Sequence, residues 1–424
     1  MSSTTQAKPI NRWLVLYASG FLLLGMGAIY SFSVFSGPLA QLRGWDLGAV
    51  TLAYSIQSGI APIPMLIGGY LMDKGHARSV ILVAGLLFGT GYILAGIVTT
   101  LPMLYLAFGV LTGLGVGAGY GAALNNAMKF FPDKRGLAAG VVTGLNGLAT
   151  VWAAPTLTAL IGGKPGNVPN ALLIMGLVFA AIGVVVFFLV RQAPPGYRPE
   201  GWTPSAVSNS TSVTESSNWK QMLATPVFWV IFAIFVAGAF SGLMVSSQAV
   251  KVGTSMYGLT PAIASALFVP LLAIANGGGR FMFGPISDRI GQVKTLMVIF
   301  VSIIVALLVL TAVKGNMFGF AVGIVVLFLT FGGTLAVMPA LVMNNFGPKY
   351  QGANYALAFA AYSTAALIGP VVGSNVAAAN KGDYSQAFYI AMGVAALGIV
   401  LAWLCGRLMA SAAVRRQQSP QGSK

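Results

Sequence analysis

Twelve apolar stretches, each about 20 residues or longer, alternate along the chain with short polar connections. Six fall near 13–36, 49–72, 79–99, 102–127, 137–161 and 169–190. After a longer polar interval, six more fall near 226–250, 262–287, 293–313, 316–343, 353–378 and 384–409. At 1.5 Å per residue such a stretch spans the roughly 30 Å hydrocarbon core of a bilayer as a helix. In lipid every backbone N–H and C=O must find its partner within the protein, which makes helices the expected element. The pattern therefore predicts an all-α integral membrane protein with twelve transmembrane helices. The first stretch is too long to be a cleaved signal peptide, and eleven others follow it.

The polar interval divides the chain once. Pro194-Pro-Gly-Tyr-Arg-Pro199 and the Ser/Thr/Asn-rich run from Ser205 to Ser217 read as a linker. The expected organisation is an N-terminal six-helix bundle over 1–192, a cytoplasmic linker over 193–225, a C-terminal six-helix bundle over 226–410 and a cytoplasmic tail over 411–424. The halves repeat: Gly69-Tyr-Leu-Met-Asp73-Lys74 recurs as Gly284-Pro-Ile-Ser-Asp288-Arg289, and Phe131-Pro-Asp-Lys-Arg-Gly136 recurs as Phe346-Gly-Pro-Lys-Tyr-Gln-Gly352. Duplicated halves are a layout of alternating-access transporters, with the binding site at the midplane between them.

Composition agrees with the membrane class. Apolar residues make up 57% of the 424 and charged residues only 7%, against roughly 25% charged in a soluble domain. The net charge of +16 invites a nucleic-acid reading, but its distribution opposes one. With the N-terminus inside, seventeen Lys and Arg fall in cytoplasmic segments and five (Arg43, Lys164, Lys251, Lys314, Lys381) outside. This is the positive-inside bias, and it places both termini in the cytoplasm, with a bacterial inner membrane as the expected location. One cysteine, Cys405, excludes an internal disulfide, and one histidine, His76, sits in a polar loop. No metal cluster, nucleophile–base pair or phosphate-binding loop stands out, so neither enzyme activity nor a cofactor is expected.

One charge breaks the pattern. Arg280 lies within Leu271-Leu-Ala-Ile-Ala-Asn276-Gly-Gly-Gly-Arg280-Phe-Met-Phe283, and no Asp or Glu occupies any of the apolar stretches. A guanidinium near a bilayer centre costs about 2.5–3.5 kcal/mol on insertion scales, and it cannot shed its proton. A counter-ion that comes and goes, namely a carboxylate substrate, satisfies it. The alternative is a structural Arg bonded to backbone carbonyls. Asn276 lies one helical turn away on the same face and can donate to a second acceptor such as a 2-hydroxyl or keto oxygen. Tyr120, Tyr30 and Tyr362 are polar aromatics placed away from the interfaces where Tyr anchors, and are further candidates for the substrate site. Leu145, Phe331 and Phe359 are candidates for its apolar wall, although core packing is the plainer description of each. Met65 is the repeat counterpart of Arg280, so the symmetry breaks where the charge enters. Asp73 and Asp288, with Lys74, Arg78 and Arg289, read as conformational latches built from charge pairs and helix ends; His76 beside them reads as incidental.

These motifs resemble those of the major facilitator superfamily. Gly284 to Lys294 is similar to its loop signature, and the copy beginning at Gly69 departs from it at Gly75-His76. Phe131 to Gly140 and Asn276-x-x-x-Arg280 resemble the monocarboxylate transporters and the bacterial oxalate/formate exchangers. The resemblance implies secondary transport of a small monocarboxylate of the lactate or pyruvate class, with a proton as the coupled ion. Monocarboxylate transporters usually carry Asp where this chain has Asn276, which leaves the proton without an evident carrier. With no second cation in the last four stretches, one carboxylate is the better charge match. Obligatory carboxylate exchange and a non-transporting carboxylate receptor are the rival readings.

Overall fold

The computed structural model describes residues 11–199, 202, 216–260, 263 and 269–418, with side chains from 270 to 411 in the last of these segments. Lys8, Lys424, most of the Ser/Thr/Asn-rich run and the opening of the eighth apolar stretch lie outside the described residues. The described residues form helices joined by short turns. In chain order they are α1 (Arg12–Arg43), α2 (47–71), α3 (Ala77–Ile97), α4 (Leu101–Lys129), α5 (Arg135–Ile161) and α6 (Pro165–Leu189). The second half has α7 (Pro226–Tyr257), α8 (Val269–Ile290), α9 (Gln292–Ala312), α10 (Met317–Phe346), α11 (Gln351–Ala379) and α12 (Ser385–Ser411). α2 and α3 run into one another over 51 residues, Leu47–Ile97, too long for one crossing. Gly75, at φ 99°, turns the chain between them, a backbone angle that a residue with a Cβ rarely adopts.

Several helices outrun the apolar stretches that announced them: α1 continues to Arg43 and α7 to Tyr257. A helix can extend beyond lipid because polar end turns remain hydrogen-bonded in water, whereas hydropathy marks only the buried length. Terminal chemistry follows local rules. Asn11 caps α1 through its side-chain oxygen, which accepts from Trp13 and Leu14 N–H, and Gly44 ends α1 at φ 68°.

Two helices are interrupted at one level of the bundle. α1 tightens into a 3₁₀ turn at Gly27–Ser31, and α5 breaks at Leu148 between Gly147 and Ala149. The breaks are tied together by Asn146, which donates from Nδ2 to the Leu23 carbonyl at 3.0 Å. The turn in α1 carries Tyr30.

The two bundles meet chiefly where α8 packs on α5, and α8 also packs on α10 within its own bundle. The glycine run explains how one helix serves both contacts. A Cβ on Gly277 would stand 2.7 Å from Leu148 of α5, and one on Gly279 would stand 1.9 Å from the Leu329 carbonyl of α10. Gly278 faces neither closely; its nearest neighbour would be 3.7 Å away. Small residues at such crossings let backbones approach in a setting where lipid supplies no hydrophobic drive between helices. Gly279→Ala is expected to cost about 1–3 kcal/mol through overpacking, seen as a lower midpoint on thermal unfolding in detergent. Gly278→Ala is the control and should leave the midpoint unchanged or slightly raised.

Candidate functional site

Arg280 and Asn276 come to rest on the inner face of α8, 5% and 8% exposed. Arg280 is the one formally charged side chain among the fully buried residues described. Its Nη1 donates to the Thr143 backbone carbonyl of α5 at 2.7 Å, a bond across the two bundles. The structural alternative raised for this Arg is thus present for one nitrogen. It does not complete the accounting, because Nε is buried with no hydrogen-bond partner, and so is Asn276 Nδ2. No described acid offers a counter-charge. Asp46 caps α2, Asp133 pairs with Arg12, Asp383 pairs with Lys314, and Asp73 and Asp288 are engaged at helix ends. The Asp383 carboxyl, in the loop before α12, is lowered to about 2 chiefly by the hydrogen bond from Lys314.

Around Arg280 the two halves contribute a ring of tyrosines. Tyr120 from α4, Tyr355 and Tyr362 from α11 all lie within electrostatic reach of the guanidinium, and Tyr30 from α1 and Tyr54 from α2 lie within reach of Tyr362. Aromatic contacts close one side of the ring. Tyr362 stacks on Phe359 at 4.9 Å and on Phe331 at 6.4 Å, Tyr120 meets Phe359 at 5.8 Å, and Phe235 of α7 meets Phe359 at 6.0 Å. Phe331 and Phe359 therefore stand beside the tyrosines. Leu145 is half-buried and packs toward α1 at Gly20. Tyr30 is the most open of the set, at 48%. Met65, the repeat counterpart of Arg280, is buried against Gly121 of α4.

Thr143, Tyr54, Tyr355 and Phe235 were not singled out from sequence. Tyr54 and Tyr355 each sit close to the start of an apolar stretch, where a Tyr reads as an interfacial anchor. Thr143 acts through its backbone, which carries no sequence signal at all. Phe235 is one Phe among 25.

At the end of the molecule where most of the basic residues gather, the two Asp residues face each other's bundle. Asp73 Oδ2 accepts from Gly352 N–H at 2.9 Å and Ala353 N–H at 3.3 Å, the first turn of α11. Asp288 accepts from Gly136 and Leu137 N–H, each at 2.7 Å, the first turn of α5. Each carboxylate thus takes up otherwise unpaired N–H groups at the positive end of a helix dipole in the opposite half. Bare backbone makes the approach possible: a Cβ on Gly69 would stand 2.5 Å from the Gly352 backbone, and one on Gly136 would stand 2.2 Å from the Gly284 carbonyl. Arg135 of α5 adds a hydrogen bond to Asn344 of α10. The basic partners differ from those expected. Asp73 pairs with Lys129 at 2.7 Å, while Lys74 lies over the Tyr70 ring and Arg78 over the Phe187 ring. Arg289 and His76 are exposed. This end of the bundle is closed.

Two six-helix bundles related by an internal repeat, enclosing a lone cation at their junction, define a membrane carrier of the secondary-transporter class. Residues 16–363 match the Major Facilitator Superfamily, and the chain belongs to it. It is a multi-pass membrane transporter, not an enzyme. It is 30% identical to an oxalate:formate antiporter of Oxalobacter formigenes, over 87% of this chain and 85% of the relative. It is 26% identical to human monocarboxylate transporter 11, over 56% of this chain and 47% of that protein. Among solved structures, Escherichia coli FucP in the outward conformation superposes with a TM-score of 0.69 at 15% identity, covering 92% of this chain and 98% of FucP, a likeness of fold alone.

Removing the Asp288 carboxylate leaves two helix N–H groups without their acceptor. Asp288→Ala is expected to loosen this closed end and raise thiol labelling of a Leu137→Cys probe severalfold in purified protein. Arg289→Ala, which removes an exposed neighbour, should leave labelling where it was.

Proposed function

We propose that the chain carries small monocarboxylates of the lactate and pyruvate class by alternating access, with Arg280 holding the substrate carboxylate. The observation that carries this reading is a buried guanidinium, at the junction of two mobile halves, with no acidic partner among the described residues. Arg presents a planar donor fork matched to a carboxylate, and an arriving anion neutralises a charge that is costly in a dry site. Asn276, Tyr120, Tyr30 and Tyr362 are assigned to the polar lining, and Leu145, Phe331 and Phe359 to the wall. The latches are Asp73 and Asp288, set among Lys74, Arg78 and Arg289. The relatives named for oxalate, formate and monocarboxylates support an anionic cargo. One fixed cation favours one carboxylate over two.

Proton symport accompanies the proposal, with both termini in the cytoplasm and a bacterial inner membrane as the setting. No described acid lies near Arg280, so the proton would travel on the substrate or on the hydroxyl-lined water beside it. A second reading, obligatory carboxylate exchange, is favoured by a specific observation: the Arg280–Thr143 bond clamps the bundles together when no anion is bound. It is also the activity named for the Oxalobacter relative.

The test is uptake of labelled L-lactate into proteoliposomes. Accumulation in empty vesicles under an inward proton gradient, abolished by a protonophore, is the expected result. Uptake only after preloading with a carboxylate would establish exchange instead. Arg280→Ala should reduce transport by at least about a hundredfold, and Arg280→Lys should restore little of it, since the point charge lacks the fork. Wild-type rates in Arg280→Ala would overturn the assignment.

A further inference from the structure

Three buried polar atoms around Arg280 have no hydrogen-bond partner: Arg280 Nε, Asn276 Nδ2 and Tyr355 Oη. Tyr355 is fully buried, and it lies on α11 two residues beyond the Ala353 N–H that Asp73 holds. Its ring packs on Phe359 at 5.9 Å, and its hydroxyl lies within electrostatic reach of Arg280, Tyr120 and Tyr362. The neighbouring Tyr120 hydroxyl does not complete a hydrogen bond with it.

The chemistry of this set is one-sided. Arg280 Nε and Asn276 Nδ2 can only donate, and a Tyr hydroxyl donates as readily as it accepts. Because Nη1 is committed to Thr143, the fork left for a carboxylate is the Nε edge, and a bidentate contact there uses both carboxylate oxygens. A plain alkanoate would then leave Asn276 Nδ2 and Tyr355 Oη buried and unsatisfied. Burying such donors without acceptors is a penalty a site does not recover elsewhere. An oxygen on the carbon next to the carboxylate meets that need.

Resting on the proposed carboxylate site, we infer that the chain selects acids bearing a 2-hydroxy or 2-oxo group, and that the Tyr355 hydroxyl, with Asn276, is the determinant that reads this oxygen. Propionate and L-lactate make the comparison, since they share a carbon skeleton and differ in the 2-hydroxyl. A site built to hydrogen-bond an oxygen rejects the analogue lacking it far more strongly than an apolar pocket rejects a changed methylene.

The experiment measures KM for labelled L-lactate and labelled propionate in proteoliposomes of wild type and Tyr355→Phe. Wild type is expected to favour lactate by about tenfold or more. Tyr355→Phe should shrink that preference roughly tenfold by raising KM for lactate more than for propionate. A wild-type preference near one overturns the inference, and stands as a test even if the variant does not fold. A variant that weakens both acids equally also overturns it, because that marks a packing role. Movement of neither acid by wild type rejects the carboxylate-carrier reading itself, and this inference with it.

Discussion

A guanidinium held in a dry interior without an opposite charge is the constraint around which this molecule is arranged. Arg280 stays protonated, and one hydrogen bond to the Thr143 carbonyl satisfies only part of it. That bond joins the two bundles, so the energetic problem and the mechanical joint lie at one place. The helix bearing Arg280 is wedged between α5 and α10, and the glycines at 277 and 279 remove the side chains that would hold those helices apart. Asn276 is set by the same wedge, because its backbone carbonyl lies where a Cβ on Gly332 of α10 would be. The polar face of α8 is therefore rigidly positioned, a condition for recognising a small anion by a fixed donor fork.

The closed end obeys a second rule, the need of helix N-termini for acceptors. Asp73 and Asp288 are repeat-related, as are the helix starts at Gly136 and Gly352 that they hold. Each acid reaches into the other bundle, so the internal duplication produces two equivalent clasps about a pseudo-two-fold axis. Cations do not carry these clasps. Lys74 and Arg78 lie over aromatic rings, and the backbone N–H groups supply the positive partner. In the proposed cycle, opening this end must break both clasps, while anion binding beside Thr143 alters the bond that joins α8 to α5. The tyrosine ring connects these places through α11, which carries Gly352 and Ala353 in one clasp and Tyr355 and Tyr362 at the site.

Much of this architecture was legible along the chain. Twelve apolar stretches, the basic bias of alternate loops and the repeated Gly-to-Asp motifs led to the fold and the family. Arg280 stood out by its solitude in an apolar run, a local signal strong enough to survive without coordinates. Asp73 and Asp288 stood out as well, but their partners did not: charge pairing pointed to Lys74, Arg78 and Arg289, whereas backbone N–H groups from the opposite half were the acceptors' true targets. Tyr355 and Tyr54 were hidden by their place near the start of an apolar stretch, where depth in the bundle depends on how far each helix extends beyond lipid.

Hydropathy, length and charge bias are properties of a segment against its solvent, so the sequence alone determined the membrane class, the number of crossings and the one residue with an unsolved electrostatic problem. Tertiary structure alone decided which atoms meet: Thr143 with Arg280, the first turns of α5 and α11 with two acids, and Tyr355 with the buried fork. Those meetings run through backbone groups and through contacts between residues more than a hundred positions apart. Backbone N–H and C=O groups are nearly the same at every residue, so no side-chain pattern could foretell which of them the packed helices would bring together.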